Sequence, residues 1–250
     1  MERQLAYMRR VSSHWAGRED KAIEHMTRNS KRVRDLLDRY RPIRDDDRVL
    51  EVGSGAMGLV FYFGTKGAVG IDPLAGHYIS LFPAWQPLAT TIGAPGEDIP
   101  FKDGAFDVVL SDNVIDHADN PAKIVAEITR VLKVGGILYL TVHIHHPLYH
   151  VASNVYGAMR ALGSPWEVGP FADHTVHLTR ASAERLFAGL PLQILSMTDN
   201  LEETKRRTAE TPPRHMGDRL KRVFLKNVTF EVIATRTAGT GRASRASSFG

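Results

Sequence analysis

Cysteine is absent from the 250 residues of this chain. Without a thiol the chain cannot form a disulfide, a thiolate zinc site or a cysteine-ligated iron–sulfur cluster, and it cannot use a cysteine nucleophile. The sequence also lacks any run of about 20 consecutive apolar residues, the length that a membrane-spanning helix requires. Its first ten residues, MERQLAYMRR, mix charged and apolar positions and lack the apolar core of a secretion signal. We therefore expect a cytoplasmic protein with no membrane partner.

Neither sign of charge is in strong excess, and the formal net charge is +4. The surplus comes from residues 200–227, where eight Lys or Arg side chains stand against four acidic ones. Mixed charge of this kind is more typical of a solvated surface than of a nucleic-acid site. The chain also has no separate RNA-binding module and no repeated pattern of basic and aromatic residues. No nucleic-acid partner is expected.

What the sequence does contain is an alternation of short apolar strands and helical segments. A helix over 120–136 has the clearest signals, with Asn120 as its cap, Pro121 in its first turn and Gly135 at its end. Six of the seven expected strands are recognisable. RVLEV (48–52) and GAVGI (67–71) come first, FDVVLSD (106–112) is counted as the fourth, and ILYLTVH (137–143), LQILSM (192–197) and NVTFEVIATR (227–236) follow. The pattern predicts an α/β fold with a doubly wound, mostly parallel sheet of seven strands, the last of them antiparallel.

The rest of the chain divides around this core. Residues 1–45 are predicted to form an N-terminal helical cap, because apolar residues within 31–40 recur at the spacing of one helix face. The main domain is predicted over 46–237. It includes an aromatic, weakly periodic insertion at 147–178, which we interpret as a lid. The tail at 238–250 has too little apolar content to pack and is predicted to be disordered.

A glycine-rich turn follows the first strand in VLEVGSGAMG, residues 49–58. Gly53, Gly55 and Gly58 have the G-x-G-x-x-G spacing, and Asp72 stands at the end of the second strand. Either a nicotinamide dinucleotide or S-adenosylmethionine satisfies this pattern, because both present a ribose to the acidic residue. Glu51 separates the two, since a carboxylate near the turn repels pyrophosphate and attracts the ammonium of a methionine moiety. We therefore favour S-adenosylmethionine as the cofactor.

From residue 48 to 142 the chain resembles the class I S-adenosylmethionine-dependent methyltransferases. VLEVGSG is similar to the first motif of that family, GID to the second, GEDIPF to the adenine-side segment, and FDVVLSDNVIDH and LKVGG to the later motifs. The resemblance implies a Rossmann-like methyltransferase fold and a set of cofactor-binding residues, namely Glu51, Gly53, Ser54, Gly55, Asp72, Pro73, Gly96, Glu97, Asp112 and Asn113. Two positions depart from the family pattern. Met57 stands where a third glycine is frequent, and Pro95 stands where many members have the aspartate that binds the adenine amino group.

Histidines are concentrated after the fourth and fifth strands. His117 follows FDVVLSD, while His143 and His145 lie in HIHHPLYH at the end of ILYLTVH. Methyl transfer is an in-line displacement that depends mainly on alignment, and an oxygen acceptor gains further from a base. Because histidine titrates in the useful range, we predict the catalytic base among these three residues. A metal site at His143, His145 and His146 is the weaker interpretation, since family members that use Mg²⁺ have carboxylate and amide oxygens after the fifth strand. No metal is predicted.

The function predicted from these observations is methyl transfer from S-adenosylmethionine to a small-molecule acceptor, most favourably to an oxygen atom. Nucleic-acid amino-methylating relatives have an Asn/Asp-Pro-Pro-aromatic element where this chain has SDNVIDH. Tyr7, Trp15 and the lid aromatics are candidate walls of an apolar acceptor pocket. Two alternatives stay open. One is a nicotinamide-dependent oxidoreductase, for which Tyr62 and Lys66 have the Tyr-x-x-x-Lys spacing, and the other is a non-catalytic S-adenosylmethionine-binding subunit. The oligomeric state is left unassigned.

Overall fold

The computed structural model of the chain describes residues 2–145, 178–210 and 228–238. Within these ranges seven strands form one sheet: β1 (Arg48–Val52), β2 (Gly67–Ile71), β3 (Thr90–Ile92), β4 (Phe106–Asp112), β5 (Leu132–Ile144), β6 (Leu192–Asp199) and β7 (Val228–Arg236). Their order is β3-β2-β1-β4-β5-β7-β6. Strand β7 is antiparallel to β5 and β6, and the other neighbouring pairs are parallel. The predicted doubly wound, mostly parallel seven-stranded sheet is confirmed.

The strand order reverses between β1 and β4. From β1 the chain continues through β2 to β3 on one side, and β4 then pairs with the opposite edge of β1. In an open sheet of this type the carboxyl ends of the strands border a crevice at the reversal point. The segments that follow β1, β2 and β4 therefore lie together at one edge, which is where the predicted site residues cluster in the sequence.

Helices cover both faces of the sheet. They are α1 (Glu2–Trp15), α2 (Glu19–Asp38), α3 (Ala75–Leu81), α4 (Pro121–Val131), α5 (Arg180–Arg185) and α6 (Leu201–Glu210), with short 3₁₀ helices at Leu59–Tyr62, Gln86–Leu88 and Ile115–His117. The helices predicted near the N-terminus are present as α1 and α2. Val33 and Leu37 of α2 are fully buried, whereas Tyr40 lies beyond the helix end and is exposed.

Each face of the sheet has its own hydrophobic core. On one face, α4 buries Ile124 and Ile128 against Leu138 and Leu140 of β5 and against other apolar strand residues. On the other face, α2 packs against alternate residues of β1, β4, β5 and β7, including Val108 and Tyr139. This alternation of side chains along each strand decides which polar residues reach which face.

Helix α1 packs on α3 rather than on the carboxyl edge of the sheet. The Ser12 hydroxyl donates to the carbonyl of Leu81 at 2.8 Å. Trp15 joins a cluster with Phe82 and Trp85, and Tyr7 is exposed. The structure therefore places Trp15 in a packing cluster and Tyr7 on the surface, while the lid aromatics of the predicted acceptor pocket lie outside the described residues.

The boundary between α4 and β5 differs from the sequence prediction. The helix has the predicted cap, in which the Asn120 side chain accepts the N–H of Lys123 at 3.1 Å, but it ends at Val131 instead of residue 136. The register with β4 shifts just after Leu132. Gly135 has φ +76°, and a Cβ on Gly136 would lie 2.9 Å from the carbonyl oxygen of Asp107. The two glycines allow the irregular backbone at the start of β5. The positive φ of Gly135 is incompatible with a continued α-helix.

Parts of the predicted organisation lie outside the described residues. The predicted lid at 147–178 is described only at Leu178, and the predicted tail only at residue 238. The domain boundaries therefore remain predictions. In the portion of the chain that is described, no helix is both long and apolar enough to cross a bilayer.

Candidate cofactor crevice and polar cavity

The glycine turn after β1 is anchored on the end of β2. The N–H groups of Gly53 and Ser54 both donate to the carbonyl of Ile71, at 2.8 and 3.0 Å, and the N–H of Gly55 donates to Asp72 Oδ2 at 3.1 Å. Gly53 and Gly55 have φ of +73° and +54°, conformations that favour glycine. The turn thus has a fixed shape, and the N–H groups of all three residues are already hydrogen-bonded within the protein.

Glu51 lies beneath this turn and is almost completely buried. Its Oε1 and Oε2 accept the N–H groups of Leu59 and Val60 at 3.0 and 2.8 Å. Burial raises the pKa of Glu51 to about 8, against the lowering effect of the two amide hydrogen bonds, and the carboxylates of Asp112 and Asp72 raise it further. The carboxyl group therefore holds the start of the first 3₁₀ helix to the end of β1.

Gly58 is required by this arrangement. A Cβ at residue 58 would lie 2.4 Å from Glu51 Oε2 and 2.5 Å from the carbonyl oxygen of Ser54. Its φ of −64° is ordinary, so close approach rather than backbone conformation explains the glycine. Gly58 stands one position after the place where the family often has its third glycine. Here it allows the turn to pack closely on Glu51.

The geometry disfavours a dinucleotide in the crevice. In G-x-G-x-x-G folds the pyrophosphate binds at the N-terminus of the helix that follows the turn. Here that helix is a short 3₁₀ segment, and its first N–H groups, those of Leu59 and Val60, are bonded to Glu51. Lys66 immediately precedes β2 and donates its N–H to Asp45 at the amino end of the sheet, so the Tyr62–Lys66 spacing does not form a dehydrogenase site.

Asp72 fits the role of a ribose ligand. Its Oδ1 accepts the N–H of Leu74 at 2.8 Å and its Oδ2 accepts the N–H of Gly55 at 3.1 Å. A carboxylate has about four lone-pair sites, so acceptor capacity remains for a ribose hydroxyl. Burial raises the pKa of Asp72, and hydrogen bonds from the N–H groups of Leu74 and Gly55 and from the Tyr78 side chain oppose that shift. The neighbouring Pro73 is exposed.

The other predicted cofactor residues on this side of the crevice have distinct surroundings. A Cβ on Gly96 would lie 3.0 Å from Val52 Cγ1, so its segment packs closely on the end of β1. Glu97 accepts the N–H of Asn120 at 3.3 Å and thereby contacts the start of α4. The Ser54 side chain is buried against β2, where a Cβ on Gly70 would come within 2.5 Å of its Oγ. Direct cofactor contacts of these residues remain predictions.

Asp112 and Asn113 form a hydrogen-bonded unit with Thr141 of β5. Asn113 has φ +55° and donates its N–H to both the carbonyl and the hydroxyl oxygen of Thr141, at 3.1 and 3.0 Å. Asp112 Oδ1 accepts from Asn113 Nδ2 at 3.2 Å and from the Thr141 hydroxyl. The carboxylate is therefore held in one orientation at the end of β4. Thr141 was not predicted, although it stands two residues before His143 on the same strand face.

The three predicted catalytic histidines occupy different environments. His117 is exposed at the end of its 3₁₀ helix, and His145 is buried, with its N–H donating to the carbonyl of Leu178 at 2.8 Å. The His143 side chain is 26% exposed, and its Nδ1 lies 3.7 Å from Oδ2 of Asp116, which is fully buried. Among the three, His143 combines partial exposure with a neighbouring carboxylate. Asp116 was not predicted, although it lies within the SDNVIDH segment.

A polar cavity of about 540 Å³ lies between α2 and the carboxyl half of the sheet. Its lining comes from α2 and from β4, β5, β6 and β7 or the residues that directly follow them: His25, Asn29, Arg32, Asp112, Asn113, Tyr139, Thr141, Thr198, Asp199, Asn200, Thr229 and Glu231. Sequence reasoning missed most of these. The available signal was the spacing of His25, Asn29 and Arg32, which places all three on one face of a helix.

The metal site at His143, His145 and His146, which the sequence disfavoured, is only partly covered by the structure, because His146 lies outside the described residues. Among the residues that are described, no group of three or more His, Cys, Asp or Glu side chains is arranged to hold a metal ion. His143 and Asp116 are close enough to interact with each other, but two residues do not make up a metal-ligand set.

Comparison with known proteins finds sequence similarity in the central part of the chain. Residues 50–140 match the family model described as a methyltransferase domain. An uncharacterized methyltransferase of Mycobacterium sp. (strain JLS) is 35% identical over 95 residues, which cover 37% of this chain and 37% of that protein. Another, from Mycobacterium leprae (strain Br4923), is 34% identical over 96 residues, which cover 37% and 36%. The chain thus matches little more than a third of the length of these curated relatives.

Solved structures extend the likeness to most of the chain. The crystal structure of a putative methyltransferase from Bacillus halodurans C-125 has a TM-score of 0.57 at 15% identity, covering 82% of this chain and 98% of that one. The geranyl diphosphate C-methyltransferase of Streptomyces coelicolor A3(2) has a TM-score of 0.59 at 18% identity, covering 83% and 77%. At these identities the likeness concerns the fold. Residues 50–140 are therefore similar to a methyltransferase domain, and most of the chain shares the fold of solved methyltransferase structures.

Proposed function

We propose that this chain transfers the methyl group of S-adenosylmethionine to an oxygen atom of a small-molecule acceptor. The observation that supports the proposal most directly is the junction at Asp112 and Asn113, where the crevice predicted for the cofactor meets the polar cavity. The volume of about 540 Å³ falls in the usual range of small-molecule sites. Donor and acceptor would then meet at one edge of the sheet.

The cofactor is held, in this proposal, by the residues around the glycine turn. Asp72 binds the ribose hydroxyls, the main chain at Gly53 and Gly55 borders the methionine portion, and Gly96 with Glu97 borders the adenine. When bound, S-adenosylmethionine supplies a methyl group on a positively charged sulfur. Glu51 supports the turn from below through Leu59 and Val60.

His143 is the base in this proposal: it does not itself line the polar cavity, but it is the strand partner of Thr229, which does. It takes the proton that the acceptor hydroxyl loses as the new oxygen–carbon bond forms, while the electron pair of the broken carbon–sulfur bond stays on sulfur. The buried carboxyl group of Asp116, 3.7 Å from Nδ1, orients the imidazole and stabilises its charged form. His117 and His145 are weaker candidates because one is exposed and the other is buried.

The N-terminal cap at 1–45 has a part in the same proposal. Helix α2 contributes His25, Asn29 and Arg32 to one wall of the polar cavity. The cap therefore belongs functionally to the acceptor site, and the domain at 46–237 supplies the cofactor crevice and the opposite wall.

The proposal is tested by transfer of a labelled methyl group. The purified chain is incubated with S-adenosylmethionine carrying a labelled methyl group and with a fractionated pool of small metabolites. We expect label in a low-molecular-weight product and release of S-adenosylhomocysteine in equal amount, and we expect both to disappear in Asp72→Ala. Label confined to protein or nucleic acid, or tight binding of NADH in place of S-adenosylhomocysteine, would contradict the proposal.

A further inference from the structure

The walls of the polar cavity have a uniform chemical character. Every residue that lines it has a polar side-chain group: hydroxyls, amides, carboxylates, a guanidinium and an imidazole. Small-molecule sites are usually lined mainly by apolar and aromatic side chains, with a few polar groups that fix orientation. An apolar acceptor would lose much of its burial energy here, because it would leave the wall groups without hydrogen-bond partners.

The sheet side of the cavity is built by strand register. Asp112 of β4 is the partner of Thr141 on β5, Thr141 is the partner of Glu231 on β7, and Glu231 is the partner of Thr198 on β6. Directly paired residues place their side chains on the same face of a sheet. A continuous row of two carboxylates and two hydroxyls therefore crosses four strands beneath the cavity.

The charged groups of the cavity are largely balanced within the protein. The Arg32 guanidinium donates to the Tyr139 hydroxyl at 3.1 Å, and that hydroxyl donates to Glu231 Oε2 at 3.1 Å. Arg32 also lies 3.7 Å from Glu231, and Asp199 pairs with Arg180. Asp112 has no arginine partner among the described residues, but its Oδ1 accepts from the Asn113 amide and from the Thr141 hydroxyl. Two of the three carboxylates of the lining are thus paired with arginines and the third is engaged by hydrogen bonds, so the cavity presents mainly hydrogen-bonding groups.

We propose that the acceptor is a small, uncharged, hydroxyl-rich molecule, with the chemistry of a sugar or a polyol. The hydroxyls of Thr198 and Thr229 and the amides of Asn29 and Asn200 are the groups that would bind its hydroxyls, since each can both donate and accept. This inference rests on the proposed methyl transfer and specifies the class of acceptor for that site.

The test separates acceptor class from methyl transfer by measuring binding first. Saturation-transfer NMR is recorded on the protein loaded with S-adenosylhomocysteine, with glucose and myo-inositol as uncharged probes, glucosamine and glucuronate as charged ones, and geraniol as an apolar alcohol. We expect signals from glucose or myo-inositol that exceed those from the other three. Preferential binding of geraniol or of either charged probe, or binding of none of the five, overturns the proposal.

Variants locate the binding in the cavity. Thr198→Val and Asn29→Leu keep side-chain size and remove hydrogen-bonding groups, so each should weaken binding of the uncharged probe about two- to tenfold, the worth of one hydrogen bond. Thr27→Val is the matched control, because Thr27 is exposed on α2 and does not line the cavity. Equal effects of all three variants would overturn the proposal.

Labelled methyl transfer to the same five compounds then distinguishes the two proposals. Transfer to geraniol alone leaves methyl transfer intact and overturns the acceptor class. Binding of the uncharged probes without transfer to any of them supports the class of ligand and counts against methyl transfer to it.

Discussion

Glu51 Oε2 accepts the N–H of Val60 at 2.8 Å in the buried space beneath the glycine turn. The contact joins the last part of β1 to the first 3₁₀ helix, and its companion at Leu59 uses the other carboxyl oxygen. A protein side chain thus holds the N–H groups that a phosphate would need in a dinucleotide site. This relationship disfavours a dinucleotide at a glycine pattern that two cofactor classes share.

The stability of the protein should decrease at alkaline pH because of Glu51. Its folded pKa of about 8 is raised above the unfolded value, so the neutral group contributes fully below about pH 4.5 and its contribution is lost as pH rises through about 8. Urea unfolding from pH 5 to 9 should show this decline in the native protein and a flatter profile in Glu51→Gln. Parallel profiles for the two proteins would show that Glu51 does not titrate in this window.

Substitution of Gly58 should be costly although its φ is ordinary. In Gly58→Ala the new Cβ would meet Glu51 Oε2 and the Ser54 carbonyl, so we expect a loss of roughly 1 to 3 kcal/mol in the free energy of unfolding and weaker cofactor binding. Gly76→Ala is the control, because a Cβ there meets nothing within 4 Å and the residue lies in α3. That control should gain about 0.5 to 1 kcal/mol. Similar changes in the two variants would refute the steric explanation.

Cofactor affinity should depend strongly on Asp72. Loss of charge-assisted hydrogen bonds to ribose is worth about 1.5 to 3 kcal/mol, so Asp72→Asn should weaken S-adenosylhomocysteine binding roughly 10- to 100-fold in calorimetric titration. Asp46→Asn, at an exposed position before β1 and at the opposite end of the sheet from the crevice, provides the charge-matched control and should bind normally. If Asp72→Asn binds S-adenosylhomocysteine with unchanged affinity, Asp72 does not bind the ribose.

The rate of methyl transfer should depend on the pair His143 and Asp116. His143→Gln should lower kcat about 10²- to 10⁴-fold while S-adenosylhomocysteine affinity stays within twofold of the native value, roughly the scale expected for loss of a general base. Asp116→Asn should lower kcat less and shift the pH profile of kcat, since it acts through His143. His14→Gln, at an exposed residue of α1, should have no effect. A normal kcat in His143→Gln would shift the search for a base to His117 and His145.

Local patterns in the sequence predicted the central elements well where hydrophobic periodicity and caps act within a few residues. The strands β1, β2 and β4 and the Asn120 cap of α4 were confirmed because each depends on its own segment. The end of α4 was wrong, because the helical periodicity continues past Val131 while pairing of Leu132 with Phe106 takes the chain into the sheet. Strand β3 was not located, since three residues are too few to give a pattern.

The sequence by itself determined the α/β class, the glycine turn and the acidic residues that point to S-adenosylmethionine, because these signals lie within single segments. Only the tertiary structure decided that Glu51 bonds the main chain of the turn, that His143 has Asp116 beside it, and that Arg32 of α2 is hydrogen-bonded through Tyr139 to Glu231 across a polar cavity. Those residues come from distant parts of the chain. Strand register and the seating of α2 bring them together, and neither is encoded in the spacing of any one motif.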